Sequence, residues 1–153
     1  MNTSLFGGRI VPELDPKFSP SSIFVRNFTQ AAKAEGGVPV TIALEQANGS
    51  VFHYSTIVFS ESSEYAKYNP AFIERLCKFL LWSRGGYRFT ICGPKYLADH
   101  LRKHYTETEV GKFDAEIMGG RIYEKPFEVV SVSDPSQLPA PKEYLVCPQD
   151  HIQ

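Results

Sequence analysis

No run in these 153 residues is long and apolar enough to span a bilayer. The first eight residues hold neither a basic block nor the apolar block of a secretory leader. Both absences point to a cytoplasmic chain that stays off membranes. Cysteine is scarce, with Cys77, Cys92 and Cys147 an odd number at wide spacing. That argues against a disulfide framework, and Cys77 and Cys92, set in apolar segments, read as reduced core residues. Net charge is nearly absent at −1, so nothing draws the whole molecule toward nucleic acid or a lipid surface. Internal repeats, low-complexity tracts and a glycine-rich phosphate loop are missing as well.

What remains is ordinary globular material: 42% hydrophobic and 22% charged, at a length that suits one domain. Residues 1–20 hold Pro12, Pro16 and Pro20 without periodicity and read as an extended arm. Residues 21–133 read as a single α/β domain. Ser21 or Ser22 starts a helix that runs to about Ala34, with Phe24, Phe28 and Ala31 or Ala32 inward, and Gly36-Gly37 stops it. The span 40–59 reads as a β-hairpin on the Asn48-Gly49 dipeptide, which suits a two-residue turn. That turn sets Leu44 opposite His53 and Ile42 opposite Ser55.

The span 69–105 organises the rest. Asn69 is expected as an N-cap with Pro70 as first helical residue, followed by a largely buried helix ended by Gly85-Gly86. A buried strand follows over 87–92, and Gly93-Pro94 opens a third helix that buries Leu97, Leu101 and Tyr105. A helix between the hairpin and that strand implies a parallel crossover. Phe113, Ala115 and Ile117 alternate as in a strand, and β character resumes over 121–132, where Pro126 marks an edge or bulge. Residues 134–141 carry three prolines and read as a linker, with a tail to residue 153. The expected fold is α/β (α+β): a mixed sheet with a hairpin and three main helices packed on it.

Candidate sites are few. Gly93-Pro94-Lys95 stands where a strand feeds a helix, a place where amide groups and the helix dipole meet an anion. With Arg88 nearby it forms the candidate small-ligand site, suited to a phosphorylated compound. His100 and His104 are one helical turn apart, and Cys147 and His151 join them only if the tail folds back. Two ligands do not make a structural metal site, so no metal and no cofactor are expected. Residues 74–105 carry seven Lys/Arg against two acids, a local +5 interleaved with Trp82, Tyr87, Tyr96 and Tyr105. Such a pattern can bind single strands, but several of these aromatics are needed in the core and the overall charge is neutral. Cys92 lacks an evident base, Asp114 and Glu116 read as the solvated face of a strand, and no catalytic residue is assigned.

Three runs, FLLWSRGGYRFTICGPK (79–95), KFDAEIM (112–118) and IYEKPFEV (122–129), resemble the N-terminal extension that precedes the ATPase core in some bacterial ROK-family sugar-kinase-like proteins. The similarity runs from about Pro12 to Glu143. The kinase parts of that family use a glycine-rich phosphate turn, a catalytic Asp and closely spaced zinc-binding cysteines, and none is present here. The resemblance therefore implies a non-catalytic accessory domain, cut from a longer protein or standing alone. Its expected partner is a protein, either a second domain or a subunit such as another copy. The linker at 134–141 would then lead toward a further domain.

Overall fold

The computed structural model describes residues 23–118 and 125–143. The arm over 1–20 and the tail beyond 143 lie outside them. Four helices and four strands follow the order α1 (Ile23–Ala34), β1 (Val38–Glu45), β2 (Val51–Val58), α2 (Asn69–Arg84), β3 (Arg88–Cys92), α3 (Lys95–Glu107), α4 (Glu109–Met118) and β4 (Glu128–Val132). The sheet order is β2-β1-β3-β4. β1 runs antiparallel to both β2 and β3, and β3 runs parallel to β4. The sheet is mixed, and the class is α+β. β2 and β3 point the same way with β1 between them, so α2 carries the chain across one strand. Pro126 falls before β4, which lies at an edge of the sheet. Arg102 donates from Nε (3.2 Å) and an Nη (3.0 Å) to the Val129 carbonyl, covering part of that edge.

The hairpin register differs from the two-residue expectation. Leu44 lies opposite Phe52 and Ile42 opposite Tyr54. The Gln46 amide donates to the Ser50 carbonyl at 2.9 Å, and Gly49 sits at φ 96°. The loop is therefore three residues, Ala47 to Gly49, with glycine in the left-handed position that closes it. One added loop residue slides the pairing by one, and every β2 side chain changes face. Val40, Ile42 and Leu44 consequently share a face with Phe52, Tyr54 and Val58, and through β3 with Phe89 and Ile91.

That face carries the core. Phe28 of α1 stacks on Phe72 of α2, with ring centroids 3.8 Å apart, and meets Phe59 edge-on. From α1, Val25, Phe28 and Ala32 are buried. From α2 come Phe72, Ile73, Leu76, Cys77, Leu80 and Leu81, and from α3 Leu97, Ala98 and Leu101. Asn69 does not cap its helix. Its amide accepts from the Phe59 N–H (3.0 Å) and donates to the Phe59 carbonyl (2.7 Å) and Tyr96 Oη (2.9 Å), so the side chain pins the end of β2 to α2 and α3.

One further expectation is corrected. Residues 109–118 form helix α4 where a strand was expected, bringing the helices to four among the described residues. Thr108 makes the junction possible: it ends α3, and its Oγ1 accepts the Gly111 N–H at 3.0 Å, a standard N-cap bond. The proline-rich span after β4 also turns back along the sheet. The His53 Nε2–H donates to the Pro139 carbonyl at 2.7 Å, and Lys142 exchanges two backbone bonds with Val51 at the far edge. His53 and Val51 lie on the face opposite the helices, with Ala43 and Thr90, both buried. The strap therefore lies against the β2 edge of the second side of the sheet.

Candidate functional site

Gly93, Pro94 and Lys95 stand at the β3–α3 junction as expected, with Pro94 as N-cap in extended conformation. A Cβ on Gly93 would come within 2.9 Å of Val40 Cγ2, so packing accounts for the glycine. The Lys95 ammonium pairs with Asp99 at 3.1 Å, and Arg102 reaches the same carboxylate at 2.9 Å. Hydrogen bonds from Lys95 and then Arg102 hold the Asp99 carboxyl below its usual range. Arg88 is at the other end of β3, and five residues of strand span about 13 Å. Its guanidinium bridges Glu45 (2.9 Å) and Glu128 (2.7 Å), its cross-strand neighbours on β1 and β4. The structure thus joins Gly93 to Lys95, sets Arg88 apart, and engages both cations with carboxylates.

The basic stretch is equally dispersed. Arg75 is buried, the Arg84 guanidinium lies 3.6 Å from the centre of the Phe52 ring, and Arg88, Lys95 and Arg102 are ion-paired. Of the interleaved aromatics, Tyr105 is buried and Tyr96 bonds Asn69. Five of the seven cations are thus buried or engaged within the fold.

The histidine pair meets a carboxylate. His100 Nε2–H donates to Glu74 Oε1 at 2.8 Å, and His104 Nδ1 lies 3.6 Å from Glu74 Oε2. The His100 hydrogen bond holds the Glu74 carboxyl below its usual range. Burial pushes the His104 imidazole down, against the pull of Glu74. Nearby on α4, Asp114 is buried and its carboxyl is raised by desolvation, opposed by Lys78, His104 and the Trp82 indole N–H. Burial also drives the Cys77 thiol far up, which removes it as a nucleophile. Among the described residues, no group of three or more His, Cys, Asp or Glu is arranged to hold a metal ion. Cys147 and His151 lie outside those residues. This polar seam ties α2 to α3 and α4.

The most unusual surface lies beside it. The exposed large apolar side chains among the described residues are Trp82 (50% exposed), Val110 (56%), Phe113 (56%) and Ile117 (38%). All four sit on two packed helices. α4 buries Gly111, Asp114 and Ala115 and turns Val110, Phe113 and Ile117 outward. Their spacing of three and four is a helical stripe. Asp114, on the α2 side of that stripe, feels the Trp82 indole N–H, so Trp82 lies on that side. The signal was present in the sequence: Val110, Phe113 and Ile117 fit a helical period, whereas Phe113, Ala115 and Ile117 also fit a strand. On the other flank of α4, a shallow groove of about 400 Å³ runs between Lys112–Glu116 and Lys125–Phe127.

The chain matches no protein-family model, no curated protein and no solved structure. No helix among the described residues is long and apolar enough to cross a membrane.

Proposed function

We propose that this chain is a non-catalytic accessory domain that works by binding another protein surface, related to the N-terminal extension of bacterial ROK-family sugar-kinase-like proteins. The observation that carries the interaction is the exposure of Trp82 on α2 and of the Val110, Phe113 and Ile117 stripe on the neighbouring helix α4. Isolated exposed apolar residues are normal, but a contiguous patch of large ones marks a contact surface. The family relation rests on the three runs at 79–95, 112–118 and 122–129. A cytoplasmic setting fits Cys77, a free and buried thiol.

The test is site-specific photo-crosslinking in cells. A photoreactive phenylalanine analogue at position 113 is expected to give a discrete protein adduct, while the same analogue at Lys33, exposed on α1, gives none. Equal labelling from both positions would contradict the proposal. So would steady ATP turnover with any sugar by the purified chain.

A further inference from the structure

Little holds α4 to the rest of the domain. Of its side chains only Ala115 belongs to the buried apolar core, with Met118 half-buried at the margin. By contrast, α2 sends Phe72, Ile73, Leu76, Leu80 and Leu81 into that core. Gly111 brings only backbone to the contact, against the His104 carbonyl. Asp114, the remaining buried residue of α4, is 2% exposed, and its Oδ2 has no hydrogen-bond partner among the described residues. On α3 the buried Tyr105 Oη likewise has none. A carboxyl oxygen enclosed without a donor favours any arrangement that returns it to water. Val110, Phe113 and Ile117 already meet water, so α4 gives up almost no apolar burial by leaving. A single non-helical residue, Thr108 at φ −94° and ψ 150°, separates α4 from α3.

We infer that α4 is a separate opening unit, which leaves α2 and α3 while the sheet and the other three helices stay folded. Its polar and small side faces inward and its large apolar side faces out, the reverse of a helix built to stay docked. Segments with few buried apolar contacts open well below the cost of global unfolding. The open state brings Asp114 to water and bares the His104 carbonyl that Gly111 covers. The opening is independent of what the exposed stripe meets.

Amide hydrogen exchange of the full chain, resolved by NMR at neutral pH without denaturant, reads the opening directly. Amides of 113–118 in α4 are expected to exchange at least about a hundredfold faster than those of 73–81 in α2 and 101–105 in α3. Low urea is expected to speed exchange in α2 and leave that of α4 nearly unchanged, because a local opening exposes little new surface. Asp114→Leu keeps nearly the same shape without the polar atoms. It is expected to slow α4 exchange about tenfold, of which helix propensity supplies only about twofold. Amides of α4 that exchange at the rate of α2, with the same response to urea, overturn the inference. So does an Asp114→Leu variant, folded by circular dichroism, in which α4 exchanges no more slowly than in the wild type. Should that variant fail to fold, the wild-type exchange pattern decides alone.

Discussion

Asn69 commits both ends of its amide to Phe59 and reaches Tyr96 as well. Removing it takes both of those bonds from the buried Phe59 backbone. At about 1–3 kcal/mol for each buried bond lost, Asn69→Ala is expected to cost about 3 kcal/mol. Urea titration should show this as a lower midpoint at an unchanged slope. Tyr96→Phe removes one partly exposed bond and should cost about 1 kcal/mol. The sequence suggested a cap at Asn69 because a helix start is a local signal, and the helix does begin there. Its actual partner, ten residues earlier, depends on how β2 meets α2, which no local window contains. His104 carries a pH effect. Its folded pKa lies below the usual 6.5 because burial disfavours the charged ring. Below that value the unfolded chain takes up protons that the folded chain resists, so stability should fall as pH drops through 6.5. Glu74, held down by His100, adds a loss in the same direction at lower pH, while Asp114, held up by burial, opposes it there. Thermal midpoints at pH 7 and pH 5.5 should differ in the wild type and converge in His104→Asn.

At the scale of elements, α4 depends on how closely it approaches α3. A Cβ on Gly111 would lie 2.0 Å from the His104 carbonyl oxygen, a backbone atom that cannot swing aside. Alanine should improve helix propensity by about 1 kcal/mol. Here the clash outweighs it, and Gly111→Ala is expected to destabilise by about 2 kcal/mol or more, the range for overpacked sites. Thr108→Ala should cost about 1 kcal/mol through the lost cap. Chemical denaturation of the two variants checks both values. The register of β1 and β2 shows a parallel limit of sequence reading. Asn48-Gly49 marked the turn, but the structure closes it with three loop residues and Gly49 in the left-handed position. That choice follows from which β2 face packs under α1, where Thr29 Oγ1 meets Thr56 Oγ1 at 3.3 Å. The helices of 69–105 were legible because their buried stripes are long. α4 was not, because its inward side is Gly111, Asp114 and Ala115 and its apolar residues face out.

Across the whole molecule, the helices cover one side of the sheet and the 133–143 strap crosses the other. Proline content alone made that span look like a linker. Its contacts with His53 and Val51 lie some ninety positions back in the chain, beyond any compositional signal. Among the described residues, the α2–α4 surface is where large apolar side chains still meet water, and the functional account stands on it. Trp82 is the single tryptophan in the chain and borders that surface, so its fluorescence reports on it directly. Emission and acrylamide quenching of Trp82 in dilute protein form the sharpest test. The account predicts a solvent-like, readily quenched signal, unchanged in Phe113→Asp. Blue, quencher-resistant emission at every dilution, unchanged in that variant, would contradict it by showing Trp82 enclosed within the monomer.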